Sequence, residues 1–171
     1  MRTRAYLSLG SNLGDRAQNL QRAVTELSRA GSLGPQSSLY ETEPVQVAAQ
    51  PWFLNCVVAL DTQLSPSELL STALALEKDM GRMRSQAKGA RVIDVDIVFY
   101  GDLIVEIPGL IIPHPAMHER RFVLEPLAQI APDATHPLLH KSVRQLLAAL
   151  PPGQVVRRLA DNEHEAKTVS D

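Results

Sequence analysis

The alternation of apolar and polar positions changes period several times along the chain, and each change marks an element. Residues 5–9 are a short apolar run ending at Gly10 and read as a strand. Asp15 is placed to cap a helix with Gln18 at its third position. Leu20, Ala23, Val24 and Leu27 follow at helical spacing, and Gly31 ends the pattern. Residues 37–42 read as extended and run into Glu43-Pro44 and a polar loop through Pro51. Residues 53–62 form a long β-rich run. Ser65-Pro66-Ser67-Glu68 is a capping box with proline at the first helical position. Leu69, Leu70, Ala73, Leu76 and Met80 then line one helix face, and Gly81 stops it.

The next segment, 82–91, is a basic connection with almost no large apolar residue. In the strand that follows, Ile93, Val95, Ile97 and Phe99 are expected to point into a core, with Asp94 and Asp96 on the opposite face. Gly101-Asp102 reads as a turn, and 103–112 as short strands broken at Pro108-Gly109. Pro113-His114-Pro115 reads as a rigid loop. Residues 119–130 carry one or two short helices and 143–150 another. Strands and helices mix without strict alternation, which predicts an α+β fold with one main sheet.

Composition narrows this picture. At 171 residues and 44% hydrophobic the chain is expected to form a single domain over 1–160, with a flexible polar tail at 161–171. A net charge of −2 argues against a general nucleic-acid binder, so the basic connection is a local device. The lone Cys56 excludes an intrachain disulfide and lies in an apolar run, where a buried, inert thiol is expected. No apolar run approaches the ~20 residues that cross a membrane. The first residues read as a strand rather than a signal sequence, so a cytoplasmic protein is expected.

The chemistry concentrates in 82–96. Asp94 and Asp96 share a strand face about 6–7 Å apart. Two like charges at that distance need a cation between or beside them. Arg82, Arg84, Lys88 and Arg91 occur with no acid between residues 80 and 93. Mg²⁺ takes one or two carboxylates plus substrate phosphates, and arginine suits phosphate oxygens. The pattern points to phosphoryl transfer from a nucleotide, with a solvated strand face and loop as the alternative. Phe53 and Asn55 share another strand face. They are either a grip for a flat heterocycle or a core ring beside an amide that satisfies backbone. His114, stiffened between prolines and followed by Arg120, Arg121 and Phe122, is either structural or a phosphate contact. Gly10-Ser11-Asn12-Leu13-Gly14 lacks the endings of nucleotide-binding loops and reads as a turn feeding a helix.

In chain order, several segments resemble the 6-hydroxymethyl-7,8-dihydropterin pyrophosphokinase family of folate biosynthesis. They are Ala5-Tyr6-Leu7-Ser8-Leu9-Gly10-Ser11-Asn12-Leu13, Tyr40-Glu41-Thr42-Glu43-Pro44 and Gln50-Pro51-Trp52-Phe53-Leu54-Asn55. They continue with Glu77 and Gly81-Arg82-Met83-Arg84, then Arg91-Val92-Ile93-Asp94-Val95-Asp96-Ile97, then Pro113-His114, Met117 and Arg120-Arg121-Phe122. The resemblance implies a ferredoxin-like α+β sandwich with one mainly antiparallel sheet. It implies transfer of pyrophosphate from ATP to the pterin alcohol with release of AMP. By the same resemblance Asp94 and Asp96 hold two Mg²⁺ ions. Arg82, Arg84 and Arg91 neutralise charge during transfer, and His114 and Arg120 bind ATP phosphates near Glu77. Phe53 and Phe122 sandwich the pterin, while Asn55 and the backbone at Thr42 and Val45 read its edge. Only small molecules are expected as partners, no nucleic acid or membrane, and the chain is expected to act as a monomer. A non-catalytic relative would lack the carboxylates or the arginines, and both persist. The sequence departs from the family pattern in a basic loop one residue short, without its usual tryptophan near Ala87-Lys88-Gly89. Further departures are Gly109 at a commonly basic position and Phe53 where tyrosine is common.

Overall fold

The computed structural model describes residues 1–43, 51–81 and 91–160. Strand β1 (Thr3–Ser11) lies between β4 (Phe53–Thr62) and β5 (Asp94–Tyr100), antiparallel to both. The outer edge of β4 is shared by two short strands, β2 (Ser32–Gln36) and β3 (Tyr40–Thr42). Strand β8 (Val156–Arg158) extends the sheet beyond β3, giving the order β5-β1-β4-β3-β8. A separate hairpin pairs β6 (Val105–Ile107) with β7 (Leu110–Ile112). The strand–helix order and antiparallel pairing are those of the expected ferredoxin-like α+β sandwich.

Helices cover both faces. Helix α1 (Arg16–Leu27) is capped by Asp15, whose side chain accepts the Gln18 amide at 3.1 Å. It buries the expected Leu20, Ala23, Val24 and Leu27. Helix α2 (Pro66–Asp79) opens with the predicted reciprocal Ser65–Glu68 capping box. Gly81 follows it at φ +98°, a left-handed position that favours glycine. These two helices pack on Leu7, Leu9, Leu54, Cys56, Val58, Leu60, Val95 and Ile97. The other face carries α3 (Arg121–Ile130) and α4 (Val143–Ala148), packed on Val57, Val98 and Phe99. Cys56 is fully buried, and burial pushes its thiol up to about 12, so it is inert as expected.

Four sequence expectations need correction. Gly10 does not end the first strand: it is paired with Asn55 on one side and Asp94 on the other. Phe99 does not share a core with Ile93, Val95 and Ile97. The register shifts between Tyr6 and Leu7, so β5 carries an extra residue at Val98 and Phe99 turns to the α3 face. Of residues 37–42, only Tyr40–Thr42 is strand. Strands β2 and β8 had not been expected. Gly34-Pro35 inside β2 argues against strand, and its site on the edge of β4, across a register shift, explains how it is tolerated. The tail at 161–171 lies outside the described residues.

Candidate active site

The site is built on the sheet face toward α3, at the ends of the central strands. Alternation on β4 sends Leu54 and Cys56 to the α1/α2 core and Phe53 and Asn55 the other way. On β5, Val95 and Ile97 point to the α1/α2 core, which leaves Asp94 and Asp96 on the same face as Phe53 and Asn55. Cross-strand register then sets two rows: Asn55, Gly10 and Asp94, and next to it Val57, Ser8 and Asp96. Residues far apart in sequence thus share one surface, with Gly10 between the amide and the first carboxylate.

The amide side is buried and unsatisfied. Asn55 is 4% exposed and Thr42 2%, yet among the described residues neither Asn55 Oδ1 nor Thr42 Oγ1 has a hydrogen-bond partner. Leaving a buried polar atom unpaired costs about 1–3 kcal/mol. Two such atoms on neighbouring strands, next to the half-buried ring of Phe53, mark a place where a polar ligand edge completes the bonding. Phe122, near the start of α3, packs against the core on this face, and the Arg120 guanidinium lies 5.6 Å from its ring centroid. Val45 lies outside the described residues.

The carboxylate side is charged and internally compensated. Arg91 Nη1 donates to both Asp94 oxygens, at 2.9 and 3.0 Å. The backbone of Arg91 is itself held by Asn12, whose Oδ1 accepts the Arg91 N–H at 2.6 Å and whose N–H donates to the Arg91 carbonyl at 3.0 Å. Glu77, on α2 and 4% exposed, accepts the Val95 N–H at 2.9 Å. That amide lies between the two aspartates, so Glu77 braces the strand that presents them. His114 is tied to β5 by its N–H donating to the Val98 carbonyl at 3.1 Å. Its Nδ1 accepts the Ala116 N–H at 3.2 Å, which puts the ring proton on Nε2. Burial pulls the His114 pKa below its ordinary value. Asp96 opposes this and Arg120 adds to it, so the ring is held neutral, with Nε2–H as its donor. Arg82 and Arg84 lie outside the described residues.

The donors present fit Mg²⁺. Two carboxylates on one strand face match an ion that takes one or two of them and fills its shell with phosphate and water. Among the described residues no group of three or more His, Cys, Asp or Glu is gathered. An open groove of about 710 Å³ lies elsewhere, lined by Arg16, Glu41, Pro51, Trp52, Val155 and Arg157. Among its described lining residues are none of the row residues, so the orphaned polar atoms and the carboxylate pair identify the site better than the concavity does.

Two residues of the site were not singled out from the sequence. The sequence reads Gly10 and Asn12 as parts of a turn, and only the pairing of β1 on both sides places Gly10 inside a strand, where glycine signals close approach. Asn12 carried no local signal, because its partner Arg91 is supplied only by the folded sheet.

An antiparallel α+β sheet with helices on both faces, carrying a carboxylate pair beside arginine and a buried amide, has donors that can serve phosphoryl transfer. Residues 6–132 match the family model of 7,8-dihydro-6-hydroxymethylpterin-pyrophosphokinase, and the chain belongs to that family. A 2-amino-4-hydroxy-6-hydroxymethyldihydropteridine pyrophosphokinase of Methylorubrum extorquens is 43% identical over 157 residues, covering 91% of this chain and 98% of that protein. The protein of the same name from Pseudomonas aeruginosa is 41% identical, over 86% of this chain and 92% of its own length. A folic acid synthesis protein of Schizosaccharomyces pombe is 43% identical over 86% of this chain, but the chain spans only 20% of that protein's length. The Plasmodium falciparum HPPK-DHPS structure with pteroate shares the fold at a TM-score of 0.72 and 16% identity, over 86% of this chain and 44% of that one.

Proposed function

We propose that the chain transfers pyrophosphate from ATP to 6-hydroxymethyl-7,8-dihydropterin, giving the pterin diphosphate and AMP, through one catalytic domain at 1–160. The observation that carries this reading is the cross-strand row of Asn55, Gly10 and Asp94. It sets an unsatisfied heterocycle grip and a phosphate-handling carboxylate on one surface, on either side of a single strand.

Asn55 and Thr42 supply hydrogen bonds to the flat, donor- and acceptor-rich edge of the pterin, joined by the backbone at Thr42 and Val45. Phe53 and Phe122 cover its two faces. Asp94 and Asp96 would hold two Mg²⁺ ions, which when bound supply positive charge to the ATP phosphates. Arg91 is placed to exchange Asp94 for a phosphate oxygen once the polyanion arrives, and Arg82 and Arg84 add cationic charge to the same step. Neutral His114 donates through Nε2–H, and Arg120 adds a cation beside it. Glu77 sits on the nucleotide side as the brace of the aspartate strand. Positioning and charge stabilisation are what phosphoryl transfer asks of a protein. The chain does this as a cytoplasmic monomer acting on small molecules. Its charge of −2 supports the absence of a nucleic-acid partner.

Incubation with ATP, Mg²⁺ and the hydroxymethyl dihydropterin tests the reading. AMP appearing in step with the pterin diphosphate supports it. ADP in place of AMP would make the protein an ordinary kinase and overturn the reading, as would the formation of no nucleotide product at all.

A further inference from the structure

We infer that Gly10 is a specificity-determining position: its missing side chain fixes where the Asn55 amide rests and so which heterocycle edge the site accepts. The inference rests on the reading of Asn55 as a pterin contact. Glycine is costly inside a strand relative to alanine, because the unfolded chain has more freedom to lose. That cost usually serves a left-handed backbone conformation, but Gly10 is not among the positive-φ residues and is paired in register on both sides. The remaining reason for glycine is close approach. A Cβ built at Gly10 would stand 2.7 Å from Asn55 Nδ2 and 3.5 Å from Phe53 Cδ1. The first distance is an overlap and the second an ordinary contact, so it is the amide that must give way.

The amide that would be displaced is the one whose Oδ1 is buried and unpaired. Its position is therefore set by the space over Gly10 and not by a hydrogen bond to that oxygen. A displaced amide presents its acceptor and donor at a different height and angle, and a rigid planar ligand cannot follow. The atom that moves is the end of a side chain and not backbone, so the sheet can accept the change.

The test is a double-mutant cycle read by pterin titration and thermal unfolding. Gly10→Ala should fold with Tm lowered by only about 4 °C and weaken pterin binding by tenfold or more, with affinity for an ATP analogue within about twofold. It should also erase most of the parent's preference for the pterin over a lumazine, which carries an oxo group in place of the 2-amino group. In an Asn55→Ala background the same Gly10→Ala change should alter pterin affinity by less than about twofold, because the colliding amide is gone. Parent-like pterin affinity in folded Gly10→Ala overturns the inference, as does an equal loss in both backgrounds. If Gly10→Ala does not fold, the double variant Gly10→Ala with Asn55→Ser decides. Recovered folding supports the inference, because the shorter serine removes the amide that the added methyl strikes, and a double variant that also fails to fold overturns it. If Asn55→Ala alone binds pterin like the parent, the pterin reading fails first and takes the inference with it.

Discussion

The two halves of the site solve opposite problems. The half around Asn55, Thr42 and Phe53 is walled by the sheet and holds buried polar atoms that no described residue satisfies. The half around Arg91, Asp94 and His114 is partly exposed, and there a protein cation already sits on a carboxylate. A neutral heterocycle can be awaited with open hydrogen bonds, because an unpaired amide costs only a few kcal/mol. A polyanion cannot be awaited in that way. Like charges gathered on one surface repel, and on the proposed reading Arg91 and Asp94 compensate one another until phosphate arrives. On that reading the heterocycle half is preorganised and the phosphate half is held in balance.

The largest expected effect tests the phosphate half. Asp96→Ala should lower turnover on the order of 10³-fold while pterin affinity, measured by calorimetry without nucleotide, stays near that of the parent. A folded Asp96→Ala protein with parent-like activity would break the division of labour. Next comes the heterocycle half. Asn55→Ala and Phe122→Ala should each weaken pterin binding by roughly tenfold or more, with binding of an ATP analogue little changed, and Phe122→Tyr should be mild. Equal losses for both ligands would show that the halves are not separable.

A smaller effect concerns the brace. Glu77→Ala removes the acceptor for the Val95 amide between the aspartates. It should raise the Mg²⁺ concentration for half-maximal rate by roughly tenfold, with Glu77→Gln, which can still accept, within about threefold of the parent. A shift in pterin KM instead would place Glu77 in the other half.

The smallest effect lies in the scaffold that both halves share. His136 is buried, its Nδ1 accepts the Leu138 and Leu139 amides, and its ring contacts Phe99 of β5 at 5.9 Å. Burial, with His118 and His140 nearby, pulls its pKa below the ordinary value. The unfolded chain therefore takes up this proton at a higher pH than the fold does. Stability from the neutral ring is fully present above about pH 6.5 and declines as pH falls below it toward the folded pKa. Urea unfolding of the parent and of His136→Asn at pH 7.5 and 5.5 checks this. The parent should lose more stability on acidification than the variant, and identical slopes would exclude His136 as the group.

Much of this molecule is legible in its sequence because the signals are local. The Asp15 cap, the Ser65–Glu68 box, the stripe of Leu69, Ala73, Leu76 and Met80, and the extent of β4 each depend on residues within a turn or a strand. Alternation alone placed Asp94 with Asp96 and Phe53 with Asn55, although it left open what each pair does. Resemblance, not spacing, joined those pairs into one chemistry. Where a β-bulge added a residue, alternation misled, and Phe99 changed faces.

Local pattern suffices for the helices, the main strands and the residue types of the two half-sites, since period, capping and charge act over a few residues. The placement of Gly10 between Asn55 and Asp94, the hold of Asn12 on Arg91 and the bracing of Val95 by Glu77 emerge in the folded sheet and nowhere before it. These pairings follow from sheet order and register, which are fixed when strands distant in the chain bury their apolar faces against common cores. No local pattern encodes which residue of one strand will face which residue of another.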